Sequence, residues 1–412
     1  MTLLAQYAAE TERMLDRCFI PENGLMCFSL KKTGLTPWEE SDFSKKETVP
    51  LIPGYEKMNF SGFMNYENTG MVLGTYLASL CFQYRVTGEQ PVLEKARRTF
   101  RSIVQIYEMS RSVAPGFYCK PWGGCVTDET SSDQYIYTMS GLDEYYALGT
   151  ESEQCLIREM IPAMARFWLE HNYVWKYYGK ELHWRECRFI AFMALAMKYE
   201  KSELFEKELL RLADLQKQSP ETPFCSTREE SLHKNPDGSE QLNSCPEAAL
   251  STFLSLEAAM EQYNCNRFMQ IGFDSFAHGF DCLAGDGTVY GPRVRKTPDE
   301  PFHEIPVEES FYTGGRNPSP IFFLHAPYRK GGMQTTMFAR FILAFDRFAP
   351  DAKNRTLAKE ILLQTGTEHL TWFEDPYKIF PEELQWMTQV FSGDAAAHFL
   401  WCYWKLRLLQ EL

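Results

Sequence analysis

The feature that most restricts this chain is a repeated pairing of unlike helices. Residues 66–86 (YENTGMVLGTYLASLCFQYRV) are apolar on almost every side. They stop at Thr87-Gly88-Glu89, and a charged helix follows over 90–107. The same couple recurs at 129–148 with 152–171, at 184–199 with a charged helix to 216, at 246–262 with a helix to 283, and at 333–348 with 353–369. One helix over 3–17 opens the chain and another over 392–409 ends it. The apolar members begin near 66, 129, 184, 246, 333 and 392, roughly every sixty residues, and a fixed period of supersecondary units marks a repeat architecture. The repeat lies in hydropathy and loop length, not in residue identity.

Physical chemistry then favours a closed ring. A helix that is apolar all round has to be covered on all sides, whereas its charged partner keeps one face in water. Short links hold each couple antiparallel. If the first and last helices pair, twelve helices make six hairpins, with every apolar helix inside. An open solenoid is the alternative, but it needs polar terminal caps that neither end carries. The expected fold is all-α and a single domain over 1–412, with a hairpin or irregular arm near Asn23-Gly24 and Thr33-Gly34 and a long loop over 42–63.

Twelve helices in six hairpins, with long loops feeding the inner helices, resemble the (α/α)6 toroid of the six-hairpin glycosidase superfamily. The resemblance covers nearly the whole chain, and no motif settles the family. It implies an enzyme acting on glucuronyl, rhamnosyl-linked or mannosyl sugars, with polysaccharide lyases and sugar epimerases among related toroids. It also places the pocket where the long loops meet the N-terminal ends of the inner helices.

Composition narrows the partners. The net charge of −13 repels phosphate at long range and argues against nucleic acid or an anionic membrane as a general partner. No run approaches the roughly 18 apolar residues of a membrane span. The twelve cysteines form no paired CxxC units, so a structural zinc site is not expected, and Cys81 and Cys402 sit in apolar helical runs as small hydrophobes. This usage fits a reducing compartment, and the N-terminal residues have helical spacing rather than that of a signal peptide, so a cytoplasmic location is expected, although a leader already removed would leave no trace. A Cys119–Cys125 bridge across the Trp122 loop is the alternative for an oxidising one. The sequence holds no HExxH, GxGxxG, Walker loop or GxSxG elbow, and no metal or cofactor is expected.

The candidate chemistry lies at the mouths of the inner helices. These read Asn65-Tyr66-Glu67-Asn68, Asp128-Glu129-Thr130-Ser131-Ser132-Asp133-Gln134, His183-Trp184-Arg185-Glu186, Asn243-Ser244-Cys245-Pro246-Glu247, Tyr328-Arg329-Lys330-Gly331-Gly332 and Ser392-Gly393-Asp394. Five of the six carry a carboxylate. Glycosidic hydrolysis needs two carboxyl groups, one to protonate the leaving oxygen and one to activate water or attack the sugar. Asp and Glu also favour helix starts as caps and dipole partners, and Thr130-x-x-Asp133 and Ser244-x-x-Glu247 loosely fit capping boxes. The second mouth offers three acids within six residues, more than capping requires. Asp133 also lies on one stripe with Tyr137 and Ser140. Asp133 and Asp128 therefore rank first as catalytic acids. Glu186 is the favoured partner, because Arg185 and Arg188 would hold it ionised; an ion-pair network fixing the helix is its structural alternative. Glu67 and Glu247 follow, as substrate-binding residues.

Trp122, between Pro121 and Gly123-Gly124, is the expected sugar platform, with Trp184 and Trp38 behind it. Arg185 and Arg329, with His183 and His325, are expected to contact substrate. Arginine matches a carboxylate bidentately, so a uronic acid is one expected substrate group, and loop charges paired among themselves are the other explanation. The expected function is glycoside hydrolysis of an oligosaccharide by an Asp/Glu pair. A lyase or epimerase on the same toroid, with His183 or His325 and a tyrosine moving a proton, is the second expectation. A non-catalytic helical scaffold is the third.

Overall fold

The computed structural model describes residues 2–20, 22–43, 59–177, 179–184, 186–218, 232–234, 237–242, 293–297, 299–300, 303–304, 332–374 and 382–412. Among these, the helices come in the unlike couples read above. Helix α1 (Leu3–Asp16) opens the chain, and a short α2 (Phe60–Tyr66) precedes α3 (Thr69–Thr87). Next come α4 (Gln90–Ser110), α5 (Ser132–Tyr146), α6 (Glu151–Glu170), α7 (Ile190–Tyr199) and α8 (Glu203–Gln218). The last three are α9 (Gly332–Phe345), α10 (Ala352–Thr365) and α11 (Gly393–Leu408). The hairpin expected over 246–283 lies outside the described residues.

Burial separates the members as the hydropathy does. Every residue of α3 from Thr69 to Gln83 is buried, whereas α4 buries one stripe and exposes its charges. Side by side, α9, α11, α3, α5 and α7 form an inner layer, with α10, α1, α4, α6 and α8 outside it. Helix α1 packs on α11, so the first and last helices do form a hairpin. The outer helices end and begin in ordinary ways. Thr150 and Glu153 make a capping box on α6, and Asp351 caps α10.

Backbone contact joins α3 to α5. A methyl added at Gly74 would collide with the Tyr137 carbonyl and lie 2.7 Å from the Thr138 amide nitrogen. One added at Gly141 would lie 2.8 Å from the Gly74 Cα. Glycine is required at both positions for the helices to touch.

Short strands lace the loops. β1 (Ser29–Lys31) pairs antiparallel with β8 (Val390–Ser392), Leu30 opposite Phe391. Phe28 accepts from the Gly393 N–H at 2.7 Å and donates to the Asn65 carbonyl at 2.7 Å. The N-terminal arm thus ties the entry of α11 to that of α3. β2 (Val174–Tyr177) and β3 (Lys180–His183) form a hairpin turning at Gly179, whose φ is +69°. β4 (Leu232–Lys234), β5 (Glu240–Leu242), β6 (Arg293–Arg295) and β7 (His303–Glu304) make an antiparallel sheet in that order. Both the hairpin and this sheet lie in stretches between the expected helices. The hairpin also corrects the start of the third inner helix. Trp184 donates its N–H to the Tyr173 carbonyl as part of the hairpin, so α7 begins only at Ile190. No helix among the described residues is long and apolar enough to cross a membrane. Cys119 and Cys125 are both free thiols.

Candidate functional site

The first two mouths are joined by a buried ion pair. Glu67, between α2 and α3, sits 2.5 Å from the Lys120 Nζ, and the two side chains are 5% and 1% exposed. The other Glu67 oxygen accepts from the Trp122 Nε1 at 2.8 Å. Lys120 also donates to the Glu67 backbone carbonyl at 3.1 Å. Two buried charges at this separation attract strongly, but they have also lost their hydration, so the pair holds only while both partners remain. Trp122 is therefore not the exposed platform expected of it. Its ring is buried against Phe63 because its N–H completes the coordination of Glu67. Trp184 is likewise buried, edge-on to Trp168 and Tyr177. Trp38 is buried as well, its backbone clasped by the Asn65 amide and its ring stacked on Phe43.

A second polar bridge links the mouths of α3, α5 and α11. Asn68 stands at the N-cap of α3 but caps nothing. Its Nδ2 donates to Asp394 at 3.0 Å, and its Oδ1 accepts from Gln134 at 3.4 Å. Gln134 in turn accepts the Gly70 N–H at 2.9 Å. Asp394 is buried in the first turn of α11, where the free N–H groups and the helix dipole favour a carboxylate.

The three acids of the second mouth have three different fates. Asp128 is exposed and ion-paired with Lys176 at 2.5 Å. Glu129 is buried and accepts the Gly179 N–H at 2.8 Å, anchoring the β2–β3 turn. Asp133 is half-buried in the first turn of α5 and makes no hydrogen bond or ion pair among the described residues. The capping box considered for it does not form, since Thr130 donates to the Tyr118 carbonyl.

At the third mouth, Glu186 lies 2.8 Å from Arg211 of α8 and 3.3 Å from the Nε2 of His183. The ion-pair network offered as its structural alternative is thus present, with Arg211, distant in sequence, as its cation. Arg185, Glu247, His325 and Arg329 lie outside the described residues.

Below the mouths, side chains from four neighbouring inner helices meet in a common layer. Arg340 of α9 is buried and donates to Thr75 of α3 at 2.8 Å and to His398 of α11 at 3.4 Å. Its guanidinium lies over the Tyr137 ring of α5 at 5.1 Å and the Trp401 ring at 4.9 Å. These side chains stand five to eight residues into their helices, so the layer lies about 8–12 Å beneath the mouths. Tyr137, expected on a polar stripe with Asp133, is part of this layer. Burial, reinforced by Arg340, pushes His398 well below the ordinary histidine range, so it is neutral and accepts from Arg340.

The mouths and the layer beneath them gather buried polar groups in the N-terminal halves of α3, α5 and α11. No protein-family model matches the chain, and no curated protein matches it. Solved structures do match. An unsaturated glucuronyl hydrolase specific for heparin superposes over 100% of this chain and 98% of its own, at 9% identity and a TM-score of 0.56. A sugar epimerase from a ruminal bacterium covers 98% and 99% at 12% identity and a TM-score of 0.56. The family 76 glycoside hydrolase (mannosidase) Bt3792 from Bacteroides thetaiotaomicron covers 100% and 99% at 8% identity and a TM-score of 0.56. The fold is the (α/α)6 toroid. At these identities the likeness fixes the toroid and leaves the chemistry to the residues at its mouths. Sequence inspection overlooked Lys120, Gln134 and Asn68 there, and the Arg340–His398 layer. A lone arginine inside the apolar run GMQTTMFARFILAF was the available signal for that layer.

Proposed function

We propose that the chain is a glycoside hydrolase working at the mouth end of the toroid, with Asp133 as one of two catalytic carboxyl groups. The observation that carries this is the state of Asp133. It is the one acid of the second mouth not engaged by the described residues, it is half-buried, and capping does not account for it. Asp394 is the best-supported partner among the described residues. It occupies the equivalent first turn of α11, and the Asn68–Gln134 bridge links it to the residue beside Asp133. Glu186 is the second candidate. It lies 2.8 Å from Arg211. Asp128, exposed on Lys176, fits a rim position. An oligosaccharide or simple glycoside is the substrate, and a uronic acid group in it would depend on Arg185 and Arg329. Structural neighbours on this fold include both glucuronyl and mannosyl hydrolases. The test is a panel of neutral and uronic aryl glycosides. Release of the aryl group supports the reading, and silence across the panel counts against it.

The equal likeness to a sugar epimerase favours one second reading. His183 beside Glu186 would then move a proton on a carbon next to a carbonyl. Exchange of solvent deuterium into a free sugar, without bond cleavage, would identify it.

A further inference from the structure

The start of α5 places a capping residue type, serine, where it caps nothing. Thr2 on α1, Thr150 on α6, Asp351 on α10 and Ser392 on α11 each accept a first-turn N–H. Ser131 holds the same position on α5, with extended backbone, yet its hydroxyl accepts none. The hydroxyls of Ser131 and Ser132 are both buried and find no hydrogen-bond partner among the described residues. A missing cap and a buried unpartnered hydroxyl each cost stability. Three consecutive residues, Ser131, Ser132 and Asp133, therefore carry unmet hydrogen-bonding capacity, while the neighbouring Glu129 and Asp128 are engaged.

The charges around this helix start point to the class of ligand. Lys120 is matched by Glu67, and Lys176 by Asp128. Glu129, Asp133 and Asp394 add negative charge at or near the same mouths. The charges of the described residues repel an anionic ligand group, whereas a hydroxyl group can give its proton to a carboxylate and accept from an N–H or a serine.

We propose that Ser131, Ser132 and the first-turn N–H groups of α5 form a subsite for an uncharged sugar ring, gripped through two of its hydroxyl groups. One ring hydroxyl donates to Asp133, and the ring oxygens accept from the serines and the helix N–H groups. This rests on the hydrolase reading and specifies the charge of the ring seated beside Asp133. A uronic ring in the same substrate would occupy a different position.

The test follows the amide resonances of Ser132, Asp133 and Gln134 in the ¹⁵N-labelled full chain. Methyl α-mannopyranoside, methyl β-glucopyranoside and sodium glucuronate are the probes, on wild type, Ser131→Ala and Ser132→Ala. The expected result is a saturable shift with a neutral glycoside and none with glucuronate. Each alanine variant should bind roughly 3- to 10-fold more weakly, the equivalent of one neutral hydrogen bond, with thermal stability equal to or above that of wild type because the hydroxyl has no partner among the described residues. Amides unmoved by every probe, unchanged affinity in both variants, variants that melt several degrees lower, or tightest binding of glucuronate would each overturn the subsite. Turnover of an aryl glycoside with silent α5 amides removes the subsite and leaves the hydrolase reading. Shifted amides without turnover of any aryl glycoside do the reverse.

Discussion

Replacing Gly74 by alanine probes the contact that holds two mouths together. Alanine favours a helix interior over glycine by about 1 kcal/mol, so propensity alone predicts a more stable protein. The structure predicts the opposite. The new methyl would lie 2.7 Å from the Thr138 amide nitrogen and closer still to the Tyr137 carbonyl. Carbon contacts settle near 3.5–4.0 Å, so α3 and α5 must part by on the order of 1 Å. The obstacle is backbone, which cannot rotate away. Overpacking of this kind costs about 1–3 kcal/mol, and the lost contacts along both buried helices put the net effect near the upper end. Urea unfolding is the better assay. At about 2.1 cal/mol/K of unfolding entropy per residue, a chain of 412 residues moves its Tm by only about 1 °C per kcal/mol. Gly141→Ala opens the same contact from the other side, since its methyl would lie 2.8 Å from the Gly74 Cα. Once the helices have parted, the second methyl costs little, so the double variant should be more stable than the sum of the singles implies. A Gly74→Ala protein as stable as wild type, or additive losses in the double variant, would refute the close backbone approach.

Three further outcomes follow from the buried polar groups. Lys120→Met should cost about 3–5 kcal/mol, because it strands Glu67 without its cation, and Lys120→Met with Glu67→Gln should recover part of that loss in denaturant titrations. Trp122→Phe keeps the ring but removes the N–H that Glu67 accepts, and should cost about 1.5–3 kcal/mol by the same assay. His398 is held neutral below its ordinary pKa, so the unfolded chain takes up a proton that the folded chain refuses once the pH falls below 6.5. Stability should therefore drop on acidification, and more steeply in wild type than in His398→Gln, by up to about 1.4 kcal/mol per pH unit. Parallel stability curves for the two proteins between pH 6.5 and 5 would contradict a neutral buried His398.

The ring was legible in the sequence because its cause is one-dimensional. A helix such as 69–87, buried on every side through Gln83, has no polar face to hide, and its charged neighbour α4 shows one clearly. The strands were not legible. β1 and β8 are three residues each and lie about 360 positions apart, so their pairing leaves no local pattern. The β2–β3 hairpin did have a signal in VWKY, Gly179 and KELH, masked by the expectation of a helix from Trp184. At the mouths, the sequence showed where carboxylates gather but not which of them the protein engages. Glu67 is taken by Lys120 across 53 positions, and Glu186 by Arg211 across 25. Only three-dimensional proximity separates these acids from Asp133. The same holds for Trp122, whose flanking glycines suggested an open loop while its indole N–H committed it to the interior.

Turnover of an aryl glycoside by Asp133→Asn, measured beside its unfolding midpoint, tests the proposed chemistry most directly. Loss of a positioned proton-transfer group lowers kcat by about 10²- to 10⁴-fold. Asp133 makes no bond or ion pair among the described residues, so its amide should leave stability nearly unchanged. A folded Asp133→Asn protein with kcat reduced at least 100-fold is the predicted result. Full activity in that variant would contradict the role assigned to Asp133.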